Sequence, residues 1–133
     1  MLNLIYGAKG TGKTKKIIEK ANATVSTGNT IFITDTDRYM YDIKRDVRFI
    51  NAHEYGVESE LGLIGFVKGL VAGNSDILHI FIDGAHRLVN KNIVDMEDFY
   101  SRLKEFSDSV DVDFTITVSM DKEEFPKFLK KLL

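Results

Sequence analysis

The stretch "LNLIYGAKGTGKTKKII" (residues 2–18) joins an apolar run, three glycines and a Lys-Thr pair at the head of the chain. Within it, Gly7 to Thr14 fit the pattern G-x-x-x-x-G-K-[ST]. Each residue type in that pattern has a physical use. Glycines let the backbone curl until successive N–H groups point inward at phosphate oxygens. Gly12 and Lys13 then open a helix whose N-terminal dipole favours the same anion. The Lys13 ammonium has the reach for β- and γ-phosphates, and the Thr14 hydroxyl stands where it can bind Mg²⁺. The residues expected to hold the ligand are therefore Gly7, Ala8, Lys9, Gly10, Thr11, Gly12, Lys13 and Thr14. The plainer alternative is a glycine-rich turn from strand to helix with no ligand; the strand before the pattern and the helix after it favour the phosphate cradle.

Outward from that loop the chain alternates strand and helix. "LNLIY" (2–6) reads as a strand, and a helix is expected from about Gly12 to Ser26, with Ile17, Ile18, Ala21 and Val25 at helical spacing. "TIFIT" (30–34) and "VRFIN" (47–51) read as strands, followed by an apolar helix from about Ser59 to Ala72. "ILHIFID" (77–83) reads as a central strand. In "DMEDFYSRLKEFSDSV" (95–110), Met96, Phe99, Leu103, Phe106 and Val110 recur at spacings of three and four and predict a helix. "DFTITVSM" (113–120) closes the set as a strand, and "KEEFPKFLKKLL" predicts a short amphipathic helix with Pro126 in its first turn. Such alternation predicts βαβ units, hence a three-layer αβα sandwich around a mainly parallel sheet of about five strands. One domain spanning residues 1–133 is expected, since no linker or repeat divides the chain.

A phosphate loop needs a carboxylate to help hold Mg²⁺, and "ILHIFID" offers Asp83 at the end of a strand apolar enough to be buried on both faces. Ligands of open α/β sheets sit at that end. Asp83 and Thr14 are thus the candidate metal ligands, the alternative being a turn aspartate before Gly84.

"GAKGTGKT" together with "IFIDGAH" resembles the Walker A and Walker B motifs of P-loop NTPases, in particular the RecA-like and AAA-like branch. The chain is also similar to small uncharacterised bacterial ATP-binding proteins. The resemblance implies a P-loop NTPase core with ATP and Mg²⁺ as cofactors. In that branch the second motif commonly reads Asp-Glu, the glutamate activating water. Here the corresponding residue is Gly84, a departure that separates binding from hydrolysis.

Other carboxylates to serve as base are Asp35 and Asp37, just past the second strand; with Lys13 they form the catalytic candidates. The alternative for both aspartates is a turn or helix cap. Thr117 and Ser119 share a face of the last strand, as γ-phosphate contacts or as buried hydroxyls. Arg38 and Arg87 follow strand ends, so each is either a phosphate contact or a solvated surface side chain. The histidines at 53, 79 and 86 lack metal-ligand spacing.

Composition narrows the classes. Cysteine is absent, so thiolate metal sites and disulfides are excluded, and 44% apolar with 29% charged residues is ordinary for a globular protein. A net charge of −2 argues against a dedicated nucleic-acid binder. No apolar run reaches membrane-spanning length, no secretory signal is visible, and a cytoplasmic protein is expected. The nucleotide is expected to be ATP: "NKNIVD" (90–95) lacks the spacing of a guanine-reading NKxD. The expected function is a slow ATPase or nucleotide-dependent switch, with an unidentified protein partner as one possibility and no oligomeric state specified. The alternatives are a small-molecule, nucleoside-type kinase and a non-hydrolysing interaction module.

Overall fold

The computed structural model describes all residues, 1–133. In chain order the elements are β1 (Leu2–Gly7), α1 (Lys13–Ala23), β2 (Asn29–Thr34), β3 (Val47–Asn51), α2 (Glu60–Gly73), β4 (Ile77–Ile82), α3 (Ala85–Val89), α4 (Glu97–Ser109), β5 (Asp113–Ser119) and α5 (Lys127–Lys130). The five strands form one sheet in the order β1-β5-β4-β2-β3, and every pairing between them is parallel.

That order explains the layers. From β1 to β2 and on to β3 the chain steps across the sheet in one direction; from β3 to β4 and β4 to β5 it steps back. Parallel crossovers keep a single hand, so outgoing and returning connections must run over opposite faces. They do. Ile17, Ile18 and Ala21 of α1, with Ile43 of the β2–β3 connection, pack on Ile5, Phe32 and Phe81. On the other face α2, α3 and α4 cover Ile31, Ile33, Ile80, Ile82, Phe114 and Ile116 in a larger core. From Ile80 to Ile82 the side chains of β4 alternate between the two cores, and Ile77 joins the larger one, which is why "ILHIFI" reads as a nearly unbroken apolar run.

Most bounds shift by a residue or two, the helix expected over 95–110 running from Glu97 to Ser109 after a 3-10 turn at Ile93–Asp95, and three departures are larger. The first helix ends at Ala23, not near Ser26, because the Thr24 N–H turns to the Ala21 carbonyl at 3.1 Å and the chain tightens into a 3-10 turn over Val25–Thr27. Pro126 caps α5 from outside instead of lying in its first turn, and the preceding Lys122–Glu124 forms a separate 3-10 turn. The five-residue α3 has no counterpart among the helices that the sequence predicts. No helix is long and apolar enough to cross a membrane.

Candidate functional site

In-register parallel pairing brings the C-terminal ends of the strands together. Gly7 lies opposite Ser119, Ile82 opposite Ile116, and Ile33 opposite Ile82. The loops after β1, β2, β4 and β5 therefore open at one end of the sheet, around a cleft of about 610 Å³. Its wall is made by Lys9, Gly10, Gly12, Lys13 and Thr14 from the first loop, Asp35, Thr36, Arg38 and Tyr39 from beyond β2, Asp83 and Arg87 from beyond β4, and Ser119 from the end of β5.

The glycine loop turns on two residues in the left-handed region, Gly10 (φ 85°) and Gly12 (φ 83°), and a Cβ at either would meet open space. What demands glycine there is the backbone conformation, not crowding. The loop is knotted about one carbonyl: Ala8 O accepts from Lys13 Nζ at 2.8 Å and from Thr11 Oγ1 at 2.7 Å. Burial lowers the pKa of the Lys13 ammonium below the usual 10.5; the Asp83 carboxylate opposes that shift and Arg87 adds to it.

Asp83 is 2% exposed and well supplied with donors. Thr117 Oγ1 donates to Oδ1 at 2.8 Å, and Thr14 Oγ1 donates to Oδ2 at 3.1 Å. The Asp83 N–H donates to Ile33 O at 2.9 Å, extending the β4 ladder by one residue and fixing where the carboxylate emerges. Thr14 and Asp83, 69 positions apart, thus share one corner of the cleft. No cluster of three or more His, Cys, Asp or Glu side chains suited to a metal is present. A hydroxyl and a carboxylate are hard oxygen donors, a set that fits Mg²⁺ when phosphate oxygens complete its shell.

The two candidate base residues separate. Asp35 lies in the cleft wall, gripped from across it by Arg87: Nε donates to Oδ2 at 3.0 Å and Nη2 to Oδ1 at 3.1 Å. Asp37 is exposed, outside the residues lining the cleft, and accepts from Asn51 Nδ2 at 3.3 Å. Arg87 also approaches Asp83 Oδ2, at 3.9 Å. Burial opposes the guanidinium's charge, but the hydrogen bonds and charge of Asp35, with Asp83, outweigh it and hold its pKa above the ordinary value. Arg87 is therefore tied into the site and is not simply a solvated surface side chain.

Thr117 is buried, and its hydroxyl works in both directions: besides donating to Asp83 it accepts from the Gly84 N–H at 3.1 Å. Ser119 is the member of that pair facing the cleft. Arg38 also lines it and stacks on the neighbouring Tyr39 ring, 5.4 Å from the centroid. The sequence does not single out Tyr39 and Thr36, which also line the cleft. Their only sequence signal is that they fall within five residues of the end of β2.

In comparison with known proteins, no family model and no curated protein matches the chain. The class defined by the structure is an α/β protein with an all-parallel five-stranded sheet and a polar, cation-bearing cleft at the strands' C-terminal end.

Proposed function

We propose that the chain is a P-loop protein that binds Mg²⁺–ATP and works as a slow ATPase or nucleotide-dependent switch. The observation that carries this reading is the 3.1 Å hydrogen bond between Thr14 and Asp83, which unites a glycine-loop hydroxyl with the carboxylate of a neighbouring region of the sheet. Bound metal would neutralise phosphate charge and orient the terminal phosphoryl group. Around it, the loop N–H groups and the α1 N-terminus hold phosphate, Lys13 exchanges the Ala8 carbonyl for phosphate oxygens, and Thr14 and Asp83 supply the protein's metal ligands. Asp35 is the carboxylate available as base, but both its oxygens are committed to Arg87, which favours slow turnover.

Calorimetric titration with ATP tests this, with and without Mg²⁺. Wild type binds in the presence of Mg²⁺ and Lys13→Ala does not; failure of the wild type to bind ATP would overturn the reading.

A second reading, a small-molecule kinase, has one observation in its favour. A neighbouring cleft of about 360 Å³, lined by His86, Lys91 and Asn92 among others, shares Ser119 with the first. An acceptor could sit there beside a terminal phosphate. ATP-dependent phosphorylation of a panel of nucleosides and sugars decides it.

A further inference from the structure

Position 84 takes glycine for its backbone: φ is 81°, a conformation strained for any side chain. The guanidinium lies close over it, and a Cβ built there would be 2.2 Å from Arg87 Nη2 and 2.5 Å from Arg87 Cζ, so the arginine would have to move. The space that any side chain at 84 would enter is filled by the Arg87 guanidinium. Two carboxylates hold that group in the cleft, Asp35 by a two-pronged grip and Asp83 at 3.9 Å, and Gly84 leaves it room. A forked Arg–carboxylate pair sets the plane of the guanidinium as well as its position. With Nε and Nη2 given to Asp35, the Nη1 edge makes no hydrogen bond within the protein.

The Arg87 side chain is 43% exposed and that of Asp35 15%, so the pair is partly open to solvent, and its forked geometry can serve the fold as well as the cleft. Its position gives it a further use. Arg87 stands in the same cleft wall as Lys13 and Thr14, adding a second fixed cation there. The Asp35 carboxylate, in turn, is spent on holding it.

We infer that Arg87 is the terminal-phosphate sensor of the site: anchored by Asp35 and admitted by Gly84, its free Nη1 edge contacts the γ-phosphoryl group and distinguishes nucleoside triphosphate from diphosphate. This inference rests on the Mg²⁺–ATP reading above and deepens it. The charge of the third phosphoryl group is what separates the two ligands, and a guanidinium with one edge anchored and one edge free responds to it. Arg87 binds ligand here, whereas Asp35 is a positioning residue acting through it.

The test compares two affinities, so it needs no turnover. ADP and the non-hydrolysable β,γ-imido analogue of ATP are titrated, with Mg²⁺, into wild type, Arg87→Ala, Arg87→Gln and Asp35→Asn, each verified as folded by circular dichroism. Arg87→Ala and Arg87→Gln are expected to weaken analogue binding by about tenfold or more, the range for losing a hydrogen bond to a charged group. ADP affinity is expected to stay within about twofold, given that the lost contact is to the third phosphoryl group alone. Asp35→Asn should give a smaller loss on the same ligand only, since it loosens the anchor and leaves the cation. Equal loss on both ligands, or loss on neither, overturns the inference. Should wild type bind neither ligand, it is the Mg²⁺–ATP reading that fails. The two arginine variants differ in bulk, so misfolding of one leaves the other to decide.

Discussion

Thr117 ties off the end of β4: its hydroxyl donates to Asp83 Oδ1 at 2.8 Å and accepts the Gly84 N–H at 3.1 Å. One side chain, 3% exposed, serves two neighbouring buried groups. Thr117→Val keeps the shape and removes both bonds, leaving a buried N–H without its partner. Stability should fall by about 1–3 kcal/mol, the desolvation cost of such groups, read as a lower urea midpoint with unchanged slope. Thr117→Ser, which keeps the hydroxyl, should lose less.

The α1-facing core is the smaller of the two, and Phe32 is central to it: fully buried, with its ring stacked on Phe49 at 6.1 Å between centroids. Phe32→Ala should cost about 3–5 kcal/mol. Against the total stability of about 5–15 kcal/mol usual for such domains, that leaves a marginal protein. Thermal unfolding should show a large drop in midpoint.

His86 makes stability depend on pH. Burial pushes the imidazole below its ordinary 6.5, Arg87 and Lys13 add to the shift, and the Asp35 and Asp83 carboxylates oppose it. The folded chain therefore binds a proton there less readily than the unfolded chain. The contribution is fully present above pH 6.5 and is lost as pH falls from 6.5 through the lower folded value. Melting curves from neutral to mildly acidic pH should fall more steeply for wild type than for His86→Gln.

Gly84→Glu, which writes the common Asp-Glu pair into β4's exit, meets two obstacles: a left-handed backbone (φ 81°) and the Arg87 guanidinium in the way. Alone it should destabilise by about 1–3 kcal/mol, the cost of a side chain in that region of backbone space, without raising phosphate release. Combined with Arg87→Ala, which clears the space, it should lose less stability than the single substitutions predict together, and a thermodynamic cycle of melting free energies measures that coupling.

Asp83→Asn preserves the shape of the buried carboxylate and removes its charge. Under the Mg²⁺–ATP reading, ATP affinity should then lose most of its dependence on Mg²⁺, which titration with and without a chelator would reveal. If affinity still rises with Mg²⁺ as in wild type, Asp83 is not the metal ligand.

Much of the fold was legible because its signals are local. The apolar runs at 30–34 and 77–82 are strands lying between two layers, 47–51 is the edge strand beside them, and the three-and-four spacing from Met96 to Phe106 runs from the N-cap of α4 along the helix. Strand order is another matter. That β1 lies at an edge, with β5 between it and β4, is decided by which face each crossover takes, and no periodicity records that. α3 leaves no readable signal, because five residues hold too little pattern and its glycine N-cap reads equally well as a turn. The place of Arg87 depends on that helix. As a residue following a strand end it has no reason to meet Asp35, 52 positions earlier in the chain; on the first turn of α3 it lies four residues from Asp83 and faces back over Gly84.

The Ala8 carbonyl, with Lys13 Nζ at 2.8 Å and Thr11 Oγ1 at 2.7 Å, has a consequence for the stiffness of the loop. A confined ammonium with no acceptor is costly. Here two side chains from the far limb of the loop clasp a carbonyl of its near limb, so residues 8–13 close on themselves like a buckle, and their curvature is held by their own contacts.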